Sequence, residues 1–178
     1  MDLERKFMQF GEGLAVSEGS VIAGYASLFD VADQGGDQVA AGAYAASLAR
    51  LKAEGRSVKM LWQHDPARPI GVWDEVKEDN RGLYVKGRLL SDVAQAREAM
   101  ALVEAGAIDG LSIGYCTKQA TKDGAGRRLV EVDLWEVSLV TFPMLPEARV
   151  AAKGDALADG ELREMTAALE AARQEMAG

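Results

Sequence analysis

The chain has 178 residues, of which 48% are apolar and 27% charged, and this composition predicts one ordinary globular domain with terminal extensions. Its net charge of −8 argues against binding to a nucleic-acid phosphate backbone, and no apolar run approaches the roughly 20 residues of a membrane span. One cysteine excludes an internal disulfide and fits a reducing, cytoplasmic setting, and one Cys with one His is too small a set for an ordinary structural zinc site. We therefore expect no metal or cofactor, no nucleic-acid partner and no membrane partner.

The predicted elements are mostly strands, with two helices between them. Apolar residues alternate in the predicted strands and recur every three or four residues in the helices. After a first strand and a loop within residues 1–20, the predicted elements are a strand at 21–30, a helix at 42–54, strands at 58–65, 70–76 and 83–90, a helix at 92–105, and strands at 111–117 and 128–142. Asp92 is the expected N-cap of the second helix. This pattern predicts an α+β fold with a mixed or antiparallel sheet that can close into a barrel.

The composition changes near residue 150. The strand pattern lies within residues 1–150, whereas residues 151–178 are rich in Ala, Glu and Arg and show a weak helical pattern of Leu and Met. We expect residues 1–150 to form the functional domain and residues 151–178 to form a helical or flexible C-terminal extension outside the core.

A serine between two glycines is the first candidate functional residue. Gly110 and Gly114 flank Ser112, which leaves room for another chain to come close. A serine hydroxyl becomes a nucleophile for hydrolysis when a base takes its proton, and histidine suits this role near neutral pH. His64 is the sole histidine, so such a pair requires the fold to bring Ser112 and His64 together.

A third candidate, Glu136, follows from strand alternation. Counting by two along the last predicted strand places Glu136 on the face of Val130 and Leu134. The same count places His64 on an apolar face of its own strand. An ionised Glu on an apolar face is costly unless it is paired or hydrogen-bonded, so Glu136 and His64 could satisfy one another. A carboxylate that fixes the imidazole tautomer is also what a serine nucleophile with a histidine base requires.

Each of these residues also has an ordinary structural interpretation. A serine between glycines is common in tight turns, a single histidine after an aromatic residue is commonly structural or exposed, and a Glu near a strand end commonly lies at the rim of a sheet. From the residues alone both interpretations stay open, because the three candidates are far apart in the sequence and only tertiary folding can bring them together.

Five short segments carry a resemblance to a known family. The segments are GYASLF at 24–29, GAY at 42–44, LWQHD at 61–65, GLSIGY at 110–115 and LWEVSLVTFP at 134–143. In this order they resemble the prohead proteases of tailed phages, which are serine peptidases that mature the capsid. Five segments in the family's order are specific, although each is weak alone.

The resemblance implies a fold like that of herpesvirus assemblins, a mostly antiparallel β-barrel with surrounding helices. It implies Ser112 as the nucleophile and His64 as the general base. In assemblins the third residue of the catalytic triad is a second histidine, which this chain lacks, so that version cannot apply. The resemblance instead implies an acidic third residue, for which Glu136 fits. Glu136 lies in the matching strand segment, and Asp65 and Asp133 are its competitors. Asp65 would point away from His64 in an extended strand, and Asp133 has the opposite parity to Glu136.

The resemblance also implies the substrates and the place of action. The family cleaves scaffold segments or the scaffolding-like N-terminal extension of the major capsid protein, and often the protease itself. We therefore expect a serine endopeptidase that acts in the host cytoplasm inside the assembling procapsid of a phage, a prophage or a gene-transfer particle. We also expect self-association as a dimer, and the extension at 151–178 could bind scaffold or carry a self-cleavage site.

Other assignments stay open at this stage. The oxyanion donors could come from backbone amides around Ser112 or from the Gly-rich turn at 124–128. Cys116 has the same strand parity as Ser112 and could serve with His64 in a cysteine peptidase. The chain could also be a non-catalytic capsid-assembly or scaffold-binding module that keeps the fold.

Overall fold

A computed structural model describes residues 4–8, 15–17, 21–124 and 126–142. Within these residues the chain forms nine strands and two helices. In chain order the elements are β1 (Glu4–Met8), β2 (Ala15–Ser17), β3 (Val21–Leu28), β4 (Gln38–Val39), α1 (Ala45–Ala53), β5 (Lys59–Trp62), β6 (Asp65–Glu78), β7 (Gly82–Leu89), α2 (Ala94–Glu104), β8 (Gly110–Asp123) and β9 (Gly126–Val140). The predicted extension at 151–178 and the domain boundary before it lie outside the described residues.

All strands in the described ranges join one sheet that curls into a half-barrel. They follow the order β1-β8-β9-β5-β6-β7-β3-β2, and the short β4 pairs with β9 outside this path. β4 and β5 run parallel to β9, and the other ladders of these strands are antiparallel. The curl brings β3 close to β1 and β8, which are distant from it in strand order. The prediction of a mostly antiparallel β fold with two helices is confirmed, and the described strands leave the half-barrel open between β2 and β1.

The inner halves of β8 and β9 form the centre of the core. Residues 110–116 and 136–140 are buried without interruption, as expected for strands covered on both faces. α1 packs against β9 and β6, and α2 packs against β6 and β7. Polar side chains within these buried stretches need hydrogen-bond partners inside the protein. The polar side chains in the buried stretches of β8 and β9 are therefore expected to bond to one another or to other buried groups.

Both predicted helices are confirmed, with different ends. The helix predicted at 42–54 spans Ala45–Ala53. The helix predicted at 92–105 spans Ala94–Glu104, and its N-cap is Val93, in an extended conformation with no side-chain cap. The expectation that Asp92 caps this helix is wrong, because a turn closed by the Val93 N–H and the Leu90 carbonyl moves the start of the helix along the chain. Neither of the helices in the described part of the chain is long and apolar enough to cross a membrane.

The strand predicted at 58–65 is wrong at its C-terminal end. β5 ends at Trp62, and Gln63 and His64 adopt left-handed backbone conformations with φ of 52° and 61°. The Gln63 N–H donates to the Leu139 carbonyl at 2.9 Å, so the chain is still bonded to β9 as it leaves β5. Strand alternation therefore does not apply to His64, because a turn rather than a face of β5 directs its side chain.

The prediction that Glu136 shares a face with Leu134 is also wrong, because β9 contains a bulge at Trp135. Across the ladder on β8, Gly114 lies opposite Glu136 and Tyr115 lies opposite Leu134, so Trp135 is an extra residue. One extra residue reverses the alternation of side chains beyond it. Glu136 therefore faces the same side of the sheet as Gly114, and Leu134 faces the other side.

Candidate active site

Ser112 lies in the buried half of β8, directly opposite Ser138 of β9. It is fully buried, and its Oγ is 2.6 Å from Nε2 of His64. The turn after β5 delivers the imidazole to this position, since β5 lies beside β9 on the edge opposite to β8. The fold thus brings Ser112 and the sole histidine into direct hydrogen-bond contact.

The other ring nitrogen of His64 faces Glu136. The distance between Nδ1 and Oε1 is 2.5 Å, and both residues are buried. With the carboxylate ionised, Oε1 can only accept, so Nδ1 carries the proton and Nε2 accepts from the Ser112 hydroxyl. Carboxylate, imidazole and hydroxyl form one hydrogen-bonded series, in the order that activates a serine for attack on a carbonyl.

Ser138 completes this buried group, and it is absent from the sequence-based candidates. Its Oγ accepts the backbone N–H of His64 at 3.1 Å and donates to Oε2 of Glu136 at 2.6 Å. The signal that could have found it is its position two residues after Glu136, on the same face of the same strand. An inward-facing serine in a strand is too common for that signal to stand out on its own.

The turn that carries His64 is fixed to the C-terminal end of β9. The Gln63 side-chain amide donates to Thr141 Oγ1 at 2.7 Å and its carbonyl accepts the Thr141 N–H at 3.3 Å. A left-handed conformation costs a non-glycine residue about 1–2 kcal/mol. The bonds from Gln63 and from the His64 N–H offset this cost, so the strained turn keeps the imidazole in place.

Gly114 provides the space that Glu136 occupies. A Cβ built at Gly114 would overlap Oε1 of Glu136 and would stand 2.8 Å from its Cδ. No real Cβ approaches a carboxylate so closely, so only glycine lets this side chain lie against β8 and reach His64. The second glycine of the GLSIGY segment therefore has a specific steric role.

We expect Gly114→Ala to lower stability, and to lower turnover in the hydrolysis that this series of groups can support. The added methyl group should cost about 1–3 kcal/mol through overpacking. It should also displace the Glu136 carboxylate, and a misplacement of about 1 Å in a catalytic group lowers the rate by about 100-fold.

Gly82→Ala is the matched control for this substitution. A Cβ at Gly82 would overlap the backbone carbonyl of Ser27, in a ladder between β3 and β7. Urea unfolding should show a loss of stability at least as large for Gly82→Ala, since its Cβ would overlap backbone rather than side-chain atoms, and the folded fraction should keep its turnover. Equal losses of turnover in the two variants would contradict the steric role of Gly114.

Asp65 and Asp133 are the alternatives to Glu136 as the acidic residue that contacts His64, and both are held by other groups. The contacts are Asp65 Oδ1 with the Ala67 N–H (2.9 Å), Asp65 Oδ2 with Arg68 Nε (3.2 Å), Asp133 Oδ1 with Ser47 Oγ (3.2 Å), and an ion pair of Asp133 with Arg50 of α1. The carboxylate at Nδ1 of His64 is that of Glu136. The geometry therefore favours Glu136 over both aspartates.

Cys116, the alternative nucleophile, lies opposite Asp133 rather than opposite Ser138. Its position on β8 is about 13 Å along the strand from Ser112. Nε2 of His64 is at hydrogen-bond distance from the Ser112 hydroxyl. This arrangement favours Ser112 over the thiol.

The Gly-rich turn at 124–128 lies at the far end of the β8–β9 hairpin. Most of the length of β8, about 35 Å of extended strand, separates it from Ser112. The turn is tied to the loop before β4 by an ion pair of Arg127 with Asp37 at 2.6 Å. The expectation that this turn could supply oxyanion donors is therefore wrong, and backbone amides near Ser112 stay as the candidates.

The sequence of this chain matches one family profile and is similar to two phage proteins. The profile of the family described as Caudovirus prohead serine protease matches residues 11–162. The prohead protease of Enterobacteria phage HK97 is 34% identical over 136 residues, which cover 74% of this chain and 59% of that protein. The capsid polyprotein of Pseudomonas phage PAJU2 is 30% identical over 101 residues, which cover 52% of this chain and 15% of that protein. The chain thus spans less than two thirds of the length of either relative.

A solved structure is similar in fold. The bacteriophage T4 capsid assembly protease superposes with a TM-score of 0.62, and the match covers 80% of this chain and 98% of that chain. The sequence identity is 17%, so the likeness concerns the fold alone. It agrees with the curled, mostly β architecture described above.

Proposed function

Since the chain belongs to the caudovirus prohead serine protease family, we propose that it is a serine endopeptidase of capsid maturation. Ser112 is the nucleophile, His64 is the general base, and Glu136 orients the imidazole. The observation that carries this proposal is the buried hydrogen-bonded series that runs from Glu136 through His64 to Ser112. No competing carboxylate or thiol discussed above has this geometry.

In the acylation step, Ser112 Oγ attacks the carbonyl carbon of the scissile peptide while Nε2 of His64 takes the hydroxyl proton. The oxygen that becomes negatively charged needs backbone N–H donors, for which the amides near Ser112 are the candidates. The C–N bond then breaks as His64 gives its proton to the leaving amine. Water, deprotonated by His64, hydrolyses the acyl-enzyme and restores the serine.

The burial of the site supports the role of Glu136. The imidazolium that forms during attack would stand beside an ionised carboxylate, with little water to screen their attraction. Because Ser112 is fully buried, a substrate peptide has to displace the groups that cover it before attack. A slow enzyme is the expected result, unless its substrate is held at high local concentration.

Capsid proteins are the proposed substrates. The relatives are named a prohead protease and a capsid polyprotein, and the structural neighbour is named a capsid assembly protease. We assign cleavage to scaffold segments or N-terminal segments of the major capsid protein, and to the chain itself, inside the assembling procapsid in the host cell. Confinement there raises the effective concentration, so weak binding suffices. A dimer and a relation to herpesvirus assemblins stay predictions.

Co-expression with the cognate major capsid protein, followed by intact-mass analysis, tests the proposal. We expect the wild type and Cys116→Ala to release the same capsid fragment, and Ser112→Ala to release none. Cys116→Ala is a matched control because it also removes a buried side-chain nucleophile from β8.

The opposite results point to the alternatives. Cleavage that persists in Ser112→Ala would overturn the serine assignment, and loss of cleavage in Cys116→Ala would favour a cysteine peptidase. A folded wild-type chain that binds the capsid protein without any cleavage would favour a non-catalytic assembly module.

A further inference from the structure

The hydroxyl of Ser138 joins the proposed base to the carboxylate that orients it. We propose that Ser138 is a positioning residue for catalysis, an inference that rests on the serine-peptidase function proposed above. Its Oγ contacts the backbone of His64 on one side and Oε2 of Glu136 on the other. One buried side chain therefore sets both the place of the imidazole and the orientation of the carboxylate.

The backbone of the turn explains why a hydroxyl is needed at this position. β5 pairs in parallel with β9 up to Trp62 and Leu139, and the Gln63 N–H still bonds to the Leu139 carbonyl. The chain then turns into left-handed conformations, so the next N–H, that of His64, leaves the regular ladder. Ser138 presents its hydroxyl to this N–H from the neighbouring strand.

The carboxylate explains why that hydroxyl must also donate. Oε1 of Glu136 faces Nδ1 of His64 and Oε2 faces Ser138, so each oxygen has its own partner. A carboxylate held at both oxygens cannot rotate away from the imidazole. A hydroxyl can accept from an amide and donate to a carboxylate at once, and the methyl group of alanine can do neither.

A second buried serine has the same chemistry outside the active site and provides a matched control. Ser47 Oγ accepts the Leu134 N–H at 2.9 Å and donates to Oδ1 of Asp133 at 3.2 Å. Ser47 and Ser138 thus each join a backbone N–H to a carboxylate of β9, and both are buried. Only Ser138 does so at the proposed catalytic group.

The first measurement compares Ser138→Ala, Ser138→Thr and Ser47→Ala in the cleavage of the capsid protein. We expect Ser138→Ala to lower kcat by about 100-fold with KM nearly unchanged, since misplaced catalytic groups slow the chemical step. Ser138→Thr keeps the hydroxyl and should stay within about fivefold of the wild-type kcat, as should Ser47→Ala. Wild-type kcat in Ser138→Ala, or an equal loss in Ser138→Thr and Ser138→Ala, would overturn the proposal.

The second measurement does not depend on activity. His64 is the sole histidine, so its two ring nitrogens give isolated NMR signals in a chain labelled at histidine. We expect the Nδ1–H tautomer to dominate in the wild type, Ser138→Thr and Ser47→Ala, and to lose population in Ser138→Ala. Unchanged ring signals in Ser138→Ala would overturn the role of Ser138. A wild type that keeps this tautomer but cleaves nothing would instead count against the proposed function.

Discussion

The Ser112→Ala substitution is expected to lower kcat for capsid-protein cleavage by about 10⁶-fold, which corresponds to about 8 kcal/mol of lost transition-state stabilisation. The loss is this large because the covalent route through an acyl-enzyme disappears. The residual rate should come from binding and from the oxyanion donors alone. Single-turnover assays on a capsid peptide that spans the mapped cleavage site would measure it.

The double variant with His64→Ala tests whether the two residues act as one unit. His64→Ala alone should cost about as much as Ser112→Ala, and the double variant should cost hardly more than either. The melting temperature of each variant shows whether it is folded. Losses that multiply in the double variant would mean that the imidazole does not act through the Ser112 hydroxyl.

The Glu136→Gln substitution is expected to lower kcat by about 10⁴-fold while the fold stays intact. An amide of nearly the same shape still fits between Gly114 and Ser138. It carries no negative charge, so it does not stabilise the imidazolium, and its NH₂ group can turn towards Nδ1 and favour the wrong tautomer. Steady-state kinetics together with the His64 ring signals would separate these two effects.

Asp133→Asn is the matched control for Glu136→Gln. It makes the same chemical change in a buried carboxylate of the same strand, three residues earlier in the sequence. It weakens the contacts to Ser47 and Arg50, so unfolding should become about 1 kcal/mol easier while kcat stays within about threefold. A large loss of kcat in Asp133→Asn with normal turnover in Glu136→Gln would mean that Asp133, and not Glu136, orients the His64 imidazole.

Strand and helix patterns predicted most of the architecture because they reflect which face of each element is buried. They fail where the backbone departs from regular geometry. Glutamine seldom adopts a left-handed conformation, and although histidine does so more often than most residues, the residue types of Gln63 and His64 alone do not predict this turn. The tertiary bonds to β9 hold that turn, and such bonds cannot be read from a local pattern.

The candidate site also depends on irregular backbone geometry that sequence patterns do not predict. The sequence argument paired Glu136 with His64 from the parity of two regular strands, yet the bulge at Trp135 and the turn after β5 break both parities. The two side chains meet through irregularities that the argument did not contain. Ser138 has no unusual neighbour in the sequence, so only the contacts in the folded chain distinguish it from an ordinary buried serine.

The bulge at Trp135 also determines which changes in chain length the hairpin can tolerate. The extra residue separates β9 into an outer part, residues 126–134, and an inner part that begins at Glu136. A residue lost in the outer part can be absorbed by removing the bulge, and a residue gained there by forming a second bulge, because the faces of the inner part are then preserved. An insertion between Glu136 and Thr141 cannot be compensated by a bulge in the outer part, so it would turn part of the site to the wrong side of the sheet. Insertions and deletions are therefore expected to be tolerated in the outer hairpin and to be excluded from the short span that carries the site.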